Sequence, residues 1–188
     1  MTIVKTSYRD HSAASLLAYI GRNEMLIKDR AGQELSLGEQ AQFVEQSEDY
    51  GFERETIISP KRGEELSERE FEFRTRQTMR EFTEDRPSAR YVYAVHDDSD
   101  HVHAHVALTG HHDDLYMDRS DIPHVRGRAT DRFRDAERAA QRSRDQDQDQ
   151  ERTQASELQL ASEVDRDREH EREQGRDHGG RAASGRTR

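Results

Sequence analysis

The chain has 188 residues, a formal charge of −10, 37% charged residues and only 30% hydrophobic ones. Such a composition supports one modest globular domain plus a polar remainder that cannot pack a core of its own. No stretch approaches the roughly 18 apolar residues of a membrane span, and no basic-then-apolar leader opens the chain, so a soluble, cytoplasmic protein without membrane insertion is expected. The absence of cysteine excludes disulfides and thiolate metal sites.

In chain order, an alternating start predicts a strand over residues 2–6 and a helix over 11–21. A hairpin over 25–35 follows, turning at Arg30-Ala31-Gly32, then a helix over 37–49 and a strand over 56–59. Ser67 with Glu70 reads as a capping box opening a helix over 67–82. Phe71, Thr75, Thr78, Met79 and Phe82 track one face of that helix, and Arg86-Pro87 ends it. Two paired strands flank the turn Asp97-Asp98-Ser99-Asp100, and a last helix is expected over 125–141. Helices interspersed with antiparallel strands predict an α+β fold, a central antiparallel sheet with flanking helices. The foldable domain is expected over residues 1–142. Residues 143–188, an Arg/Asp/Gln/Glu-rich low-complexity segment with few large apolar residues, are expected to form a disordered or transiently helical tail, with a possible charged helix over 151–173.

The densest chemical signal is His96-Asp97-Asp98-Ser99-Asp100-His101-Val102-His103-Ala104-His105, four histidines in ten residues. On a strand, His101, His103 and His105 share one face while Val102, Ala104 and Val106 take the other. Neutral imidazole is the commonest protein metal ligand, and ligands at i and i+2 converge on one ion. A hairpin across the acidic turn would bring His96 within reach of the others. This pattern predicts a metal site or a histidine-based active site. Asp98 or Asp100 is the expected carboxylate orienting a ligand imidazole.

This motif, following the apolar strand Tyr91-Val92-Tyr93-Ala94-Val95, resembles the third motif of plasmid mobilisation relaxases, the HUH endonucleases that nick one DNA strand at a transfer origin. The run Ala14-Ser15-Leu16-Leu17-Ala18-Tyr19-Ile20-Gly21-Arg22-Asn23 resembles the family's first motif, and Thr56-Ile57-Ile58-Ser59-Pro60 resembles its strand ending in Ser-Pro. Val106–Gly110, then Leu115-Tyr116-Met117-Asp118, then Asp121-Ile122-Pro123 resemble its following strand, hairpin and helix start. The resemblance spans roughly residues 1–140. It implies a five-stranded antiparallel sheet, a divalent metal ion (Mg2+ or Mn2+) on His96, His103 and His105, and Tyr19 as the nucleophile. His101 is then a neighbour of the ligands, and Arg22 a DNA contact. The implied partners are single-stranded DNA at a transfer origin, relaxosome accessory proteins and a coupling protein, with strand separation left to them. The implied role is to start conjugative transfer or mobilisation through a 5′-phosphotyrosyl intermediate.

Other readings of the same residues remain. Tyr19 also fits a core aromatic on an amphipathic helix with Leu16 and Leu17, and Tyr8 is the rival nucleophile. His101-Val102-His103-Ala104-His105-Val106-Ala107 also resembles the signature of histidine-triad nucleotide hydrolases, with His103 as a metal-independent nucleophile; in that scheme His96 has no role. A truncated, non-catalytic relaxase that binds DNA or relaxosome partners is a third. Charge argues against DNA binding: residues 1–142 carry 21 basic and 28 acidic residues, whereas phosphate contacts favour a basic surface. Arg22, Arg30, Arg62, Arg126, Arg128, Arg132 and Arg134 are the expected basic strip that overcomes this. The scarcity of lysine (Lys5, Lys28 and Lys61 alone) beside abundant Asp and Glu also fits a halophile. At about 1 M salt the Debye length is only about 3 Å, so an acidic surface repels DNA far less.

Overall fold

The computed structural model describes residues 2–9, 13–22, 25–97 and 100–177. Five strands, β1 (Thr2–Arg9), β2 (Lys28–Asp29), β3 (Glu53–Pro60), β4 (Arg90–His96) and β5 (His103–Thr109), form one sheet in the order β1-β3-β5-β4-β2. Every pairing is antiparallel. The helices are α1 (Ala14–Ile20), α2 (Leu37–Tyr50), α3 (Glu68–Thr83), the single turn α4 (His112–Leu115) and α5 (Asp121–Asp177). This is the α+β arrangement expected, with helices over both faces of the sheet.

Side-chain alternation divides the sheet into two chemically distinct faces. On one, Val4, Ile58, Tyr93, Ala104, Val106 and Leu108 pack with Phe71, Met79 and Phe82 of α3 and with Val125, Ala129 and Phe133 of α5. On the other, Val92, Ala94 and Ala107 pack with Leu16, Leu17 and Ile20 of α1 and with Phe43 of α2. The small Ala94 and Ala107 let α1 lie close to the sheet. Phe133 is fully buried, its ring 5.1 Å from that of Phe71. Phe133→Ala is expected to destabilise the domain by about 3–5 kcal/mol, read as a fall in the urea midpoint at unchanged slope.

Local chemistry explains where the helices begin and end. Ser36 and Glu39 form a reciprocal capping box at the start of α2, and Gly51, at φ 64°, closes its end. At α3 half of the expected box forms. Ser67 accepts from the Glu70 amide at 3.3 Å, but the Glu70 carboxylate accepts from Arg74 Nε at 2.8 Å. A guanidinium one turn on competes successfully for that carboxylate.

Other departures from expectation are of length. β1 and β3 are both longer than expected and pair along their whole length, Thr2 with Pro60 through Arg9 with Glu53. The hairpin over 25–35 contracts to a tight turn between Lys28 and Glu34, because Asp29 Oδ1 accepts from the amides of Ala31 and Gln33, each at 2.8 Å. Leu115–Asp118 forms no hairpin; α4 and an extended link lead into α5.

The chain divides into two compact units, Met1–Gln141 and Arg142–Arg188. In the second, residues 142–159 are exposed all round, Leu158 included. Among the described residues, no helix is long and apolar enough to cross a membrane.

Candidate active site

The register of β4 against β5 sets His96 opposite His103 and Ala94 opposite His105. All three imidazoles therefore rise from the face that carries α1, at the end of the two central strands next to the acidic turn. One ring nitrogen from each lies within 4.8 Å of the others. His101 precedes β5, is exposed, and supplies its carbonyl to His103 Nδ1 at 2.9 Å.

Each ring is held by a separate part of the fold. His105 Nδ1 lies 3.1 Å from a Glu55 carboxylate oxygen on β3, both residues being buried. His96 is fully buried, and its Nε2 lies 2.7 Å from the Ile20 carbonyl at the end of α1. Burial outweighs the raising effect of the Ile20 carbonyl contact and holds the His96 pKa below its usual 6.5, which favours the neutral form that ligates a metal.

The donor set fits a cation. With Nδ1 protons committed to Glu55 and to the His101 carbonyl, His105 and His103 turn their Nε2 atoms toward each other, 3.1 Å apart. Two ring nitrogens at that distance need a proton or a cation between them, and a metal ion shared by both would convert the contact into ligation.

Tyr19 stands over this cluster. Leu16, Leu17 and Ile20 do the burying on α1, whereas Tyr19 is 43% exposed, which removes the core-aromatic reading. Its ring meets that of His105 edge-on, centroids 5.2 Å apart, and the Arg22 guanidinium lies 4.4 Å from its centroid. The position of α1 is fixed at its start as well, by the Ala13 amide donating to Ser47 Oγ of α2 at 2.9 Å.

Against known proteins, the relaxase family described as MobA/VirD2-like, nuclease domain, matches residues 39–139, just over half of the chain. The chain belongs to this relaxase family. No curated protein and no solved structure matches it. The matched region contains the three histidines and Glu55, and Tyr19 precedes it. Family membership makes this protein a relaxase-type DNA-nicking endonuclease, a class that binds single-stranded DNA at an origin and uses a divalent metal. It also weighs against the histidine-triad alternative, as does His96 standing with His103 and His105.

Three expectations about the relaxase's site need correction or limit. The carboxylate behind His105 is Glu55, not Asp100. Asp100 is exposed in the turn and makes no hydrogen bond to a histidine among the described residues, while Asp98 lies outside them. Asp100 sits beyond the strand ends, whereas β3 runs directly beside β5 with Glu55 opposite Ala107. A usable signal was present, since a glutamate inside the β-branched run Glu55-Thr56-Ile57-Ile58 is placed to point into a sheet. Tyr8, the rival nucleophile, belongs to the opposite face: it pairs with Arg54, and its hydroxyl is bonded to Met117 at both amide (2.8 Å) and carbonyl (3.1 Å). The expected arginines form no single strip. Arg22 lies on Tyr19, Arg62 is held by Glu65 and Gln141, and Arg134 is held by Asp131.

Glu55→Gln keeps the size of the side chain but removes the negative charge that makes His105 a better donor. It is expected to weaken divalent metal binding about 10- to 100-fold, measured by titration calorimetry with Mn2+.

Proposed function

We propose that this relaxase nicks and rejoins single-stranded DNA at a specific site, with Tyr19 as nucleophile and His96, His103 and His105 as ligands of a divalent metal, Mg2+ or Mn2+. The observation that carries the reading is the edge contact of the Tyr19 ring with His105, which puts the one exposed phenol of α1 against the histidine cluster.

In this reading, Tyr19 Oη attacks phosphorus in line, forming the P–Oη bond and breaking the bond to the 3′ oxygen. The proton lost by the phenol is balanced by the proton gained at the 3′ oxygen, leaving a free 3′-hydroxyl and a 5′-phosphotyrosyl ester. That ester keeps the energy of the phosphodiester, so the same site can rejoin the strand. A metal bound to the three imidazoles would supply positive charge against the scissile phosphate and the charge that grows on it. Glu55 fixes the tautomer and orientation of His105. Arg22 holds the Tyr19 ring by cation–π contact, worth about 0.5–1 kcal/mol at an exposed site, and brings positive charge to where the DNA backbone arrives. In the cell this reaction would start mobilisation or conjugative transfer of a plasmid or related element, with accessory proteins opening the duplex and a coupling protein receiving the strand.

The test is a panel of single-stranded oligonucleotides from the encoding replicon, incubated with Mn2+ or Mg2+ in dilute buffer and in molar KCl. A covalent adduct carrying the 3′-labelled fragment, together with release of a 5′-labelled product ending in 3′-hydroxyl, is the expected result. Oligonucleotide binding without any adduct would overturn it in favour of a non-catalytic DNA-binding role. Activity confined to molar KCl would support the halophile reading of the acidic composition; full activity and stability in dilute buffer would sink it.

A further inference from the structure

On the reverse of the sheet, α3, α5 and the turn after β2 line a second concavity of about 990 Å³. Its wall includes Tyr91, whose side chain alternates away from the histidine face, so this is a separate place in the molecule. Arg30, Arg76, Arg80, Arg128 and Arg132 line it against only two carboxylates, Glu81 and Glu84, with Phe73 among them.

The placement of these groups is organised. Phe73, Arg76 and Arg80 follow one another at i, i+3 and i+7 along α3, and so share a stripe beside its core-facing residues. Arg128 and Arg132 repeat the spacing on α5, and both are paired with Glu81. Arg76 is fixed by donating to the Tyr93 hydroxyl at 2.8 Å and by Glu72 at 3.6 Å. Its guanidinium also packs against Gly32 (φ +86°), where a Cβ would come within 2.7 Å of it. Arg30 and Arg80 have no carboxylate partner among the described residues, and Phe73 is 42% exposed. In a chain of charge −10 this is a local reversal of sign, presented by arginine rather than lysine. The planar guanidinium fork matches phosphate oxygens and stacks on flat groups.

We propose that this concavity holds a second stretch of the single-stranded DNA whose scissile phosphate sits at the histidine face. Phosphates lie on Arg30 and Arg80 and an unpaired base lies on Phe73. The inference rests on the reading that the histidine face handles DNA. β2 is the edge strand beside β4, which carries His96, and Arg30 lies in the turn just after it, so Arg30 stands at the sheet edge round which a strand passes from one face to the other. An exposed ring favours single-stranded DNA, because a duplex hides its base faces in its own stack.

The test uses the full chain and fluorescence anisotropy with labelled oligothymidine of 30 and of 6 nucleotides, a 30-base-pair duplex, and a polyglutamate peptide. The double variant Arg30→Glu/Arg80→Glu is expected to bind the 30-mer at least about 10-fold more weakly. Its log–log salt slope should fall by about 1.4, the value for two single-strand phosphate contacts. Phe73→Ala, which removes no charge, is expected to cost at least about 5-fold on the 30-mer, as loss of one stacked base does. The 6-mer, too short to occupy both faces, should bind the wild type more weakly than the 30-mer does, and thermal melting should show both variants folded. Unchanged 30-mer binding would overturn the inference. An equal loss on the duplex, or polyglutamate bound as tightly as the 30-mer, would overturn it by naming a different occupant. Adduct formation is read separately. A wild type that makes no adduct but loses 30-mer affinity in the double variant would sink the nicking reading and leave this one standing.

Discussion

Tyr19→Phe is expected to abolish the covalent protein–DNA adduct while leaving the fold and oligonucleotide binding in place. The substitution removes one oxygen atom from a side chain that is 43% exposed. The phenyl ring that remains can keep both the edge contact with His105 and the cation–π contact with Arg22. Stability should therefore change by less than about 0.5 kcal/mol, as at most surface positions, and a urea melt would show coincident curves. Loss of the adduct then has a chemical cause, the missing nucleophile. No other tyrosine is poised to replace it. Tyr8 lies on the opposite face with its hydroxyl bonded to Met117. Tyr91 and Tyr93 are buried. Tyr50 rests on His111 and Tyr116 on His112, beyond the end of β5 remote from the cluster of His96, His103 and His105. An adduct that survives Tyr19→Phe would keep the reaction class and reject the nucleophile.

What could be read from the sequence depended on how far apart the cooperating residues lie. His96, His103 and His105 sit within ten residues around one turn, so strand alternation and a single hairpin were enough to gather them. Tyr19 lies more than seventy positions earlier and was reached through resemblance, because nothing local says which sheet face α1 will cover. Glu55 shows the limit more sharply. It serves His105 because β3 inserts between β1 and β5, a strand order decided by the global fit of helices to the two faces. The buried Arg54 shows another. A charged residue at 1% exposure reads as surface in sequence, yet here it donates to the Leu115 carbonyl and to Thr6 Oγ1 and stacks on Tyr8. The arginine-lined concavity needed two helices to be placed side by side before the spacing of Arg76 and Arg80 on one and of Arg128 and Arg132 on the other meant anything.

Removing one of the three proposed ligands should separate the metal's contribution from that of the fold. In His103→Ala, Mn2+ is expected to lose its stabilising effect and adduct formation is expected to fall to background. The metal-free variant should melt close to the metal-free wild type. The argument starts from the 3.1 Å separation of His103 Nε2 and His105 Nε2. Without a metal the two nitrogens are bridged by no more than a proton, so truncating the half-buried His103 removes one weak contact and leaves no large cavity. With a cation, the wild type gains RT ln(1 + [M]/Kd), about 2.7 kcal/mol when the metal stands at 100 times its Kd, and the variant does not. Acid should act in the same direction as the substitution. Ligation needs unprotonated imidazole, so metal binding weakens as pH falls. For His96, the folded-state pKa lies below the usual 6.5, so the unfolded chain takes up its proton first and stability is lost as pH drops through about 6.5. Melting curves for wild type and His103→Ala, with and without Mn2+, at pH 8 and pH 5 would test each step. An Mn2+-dependent rise in Tm that is equal in the two proteins at pH 8 would show that His103 is not a ligand.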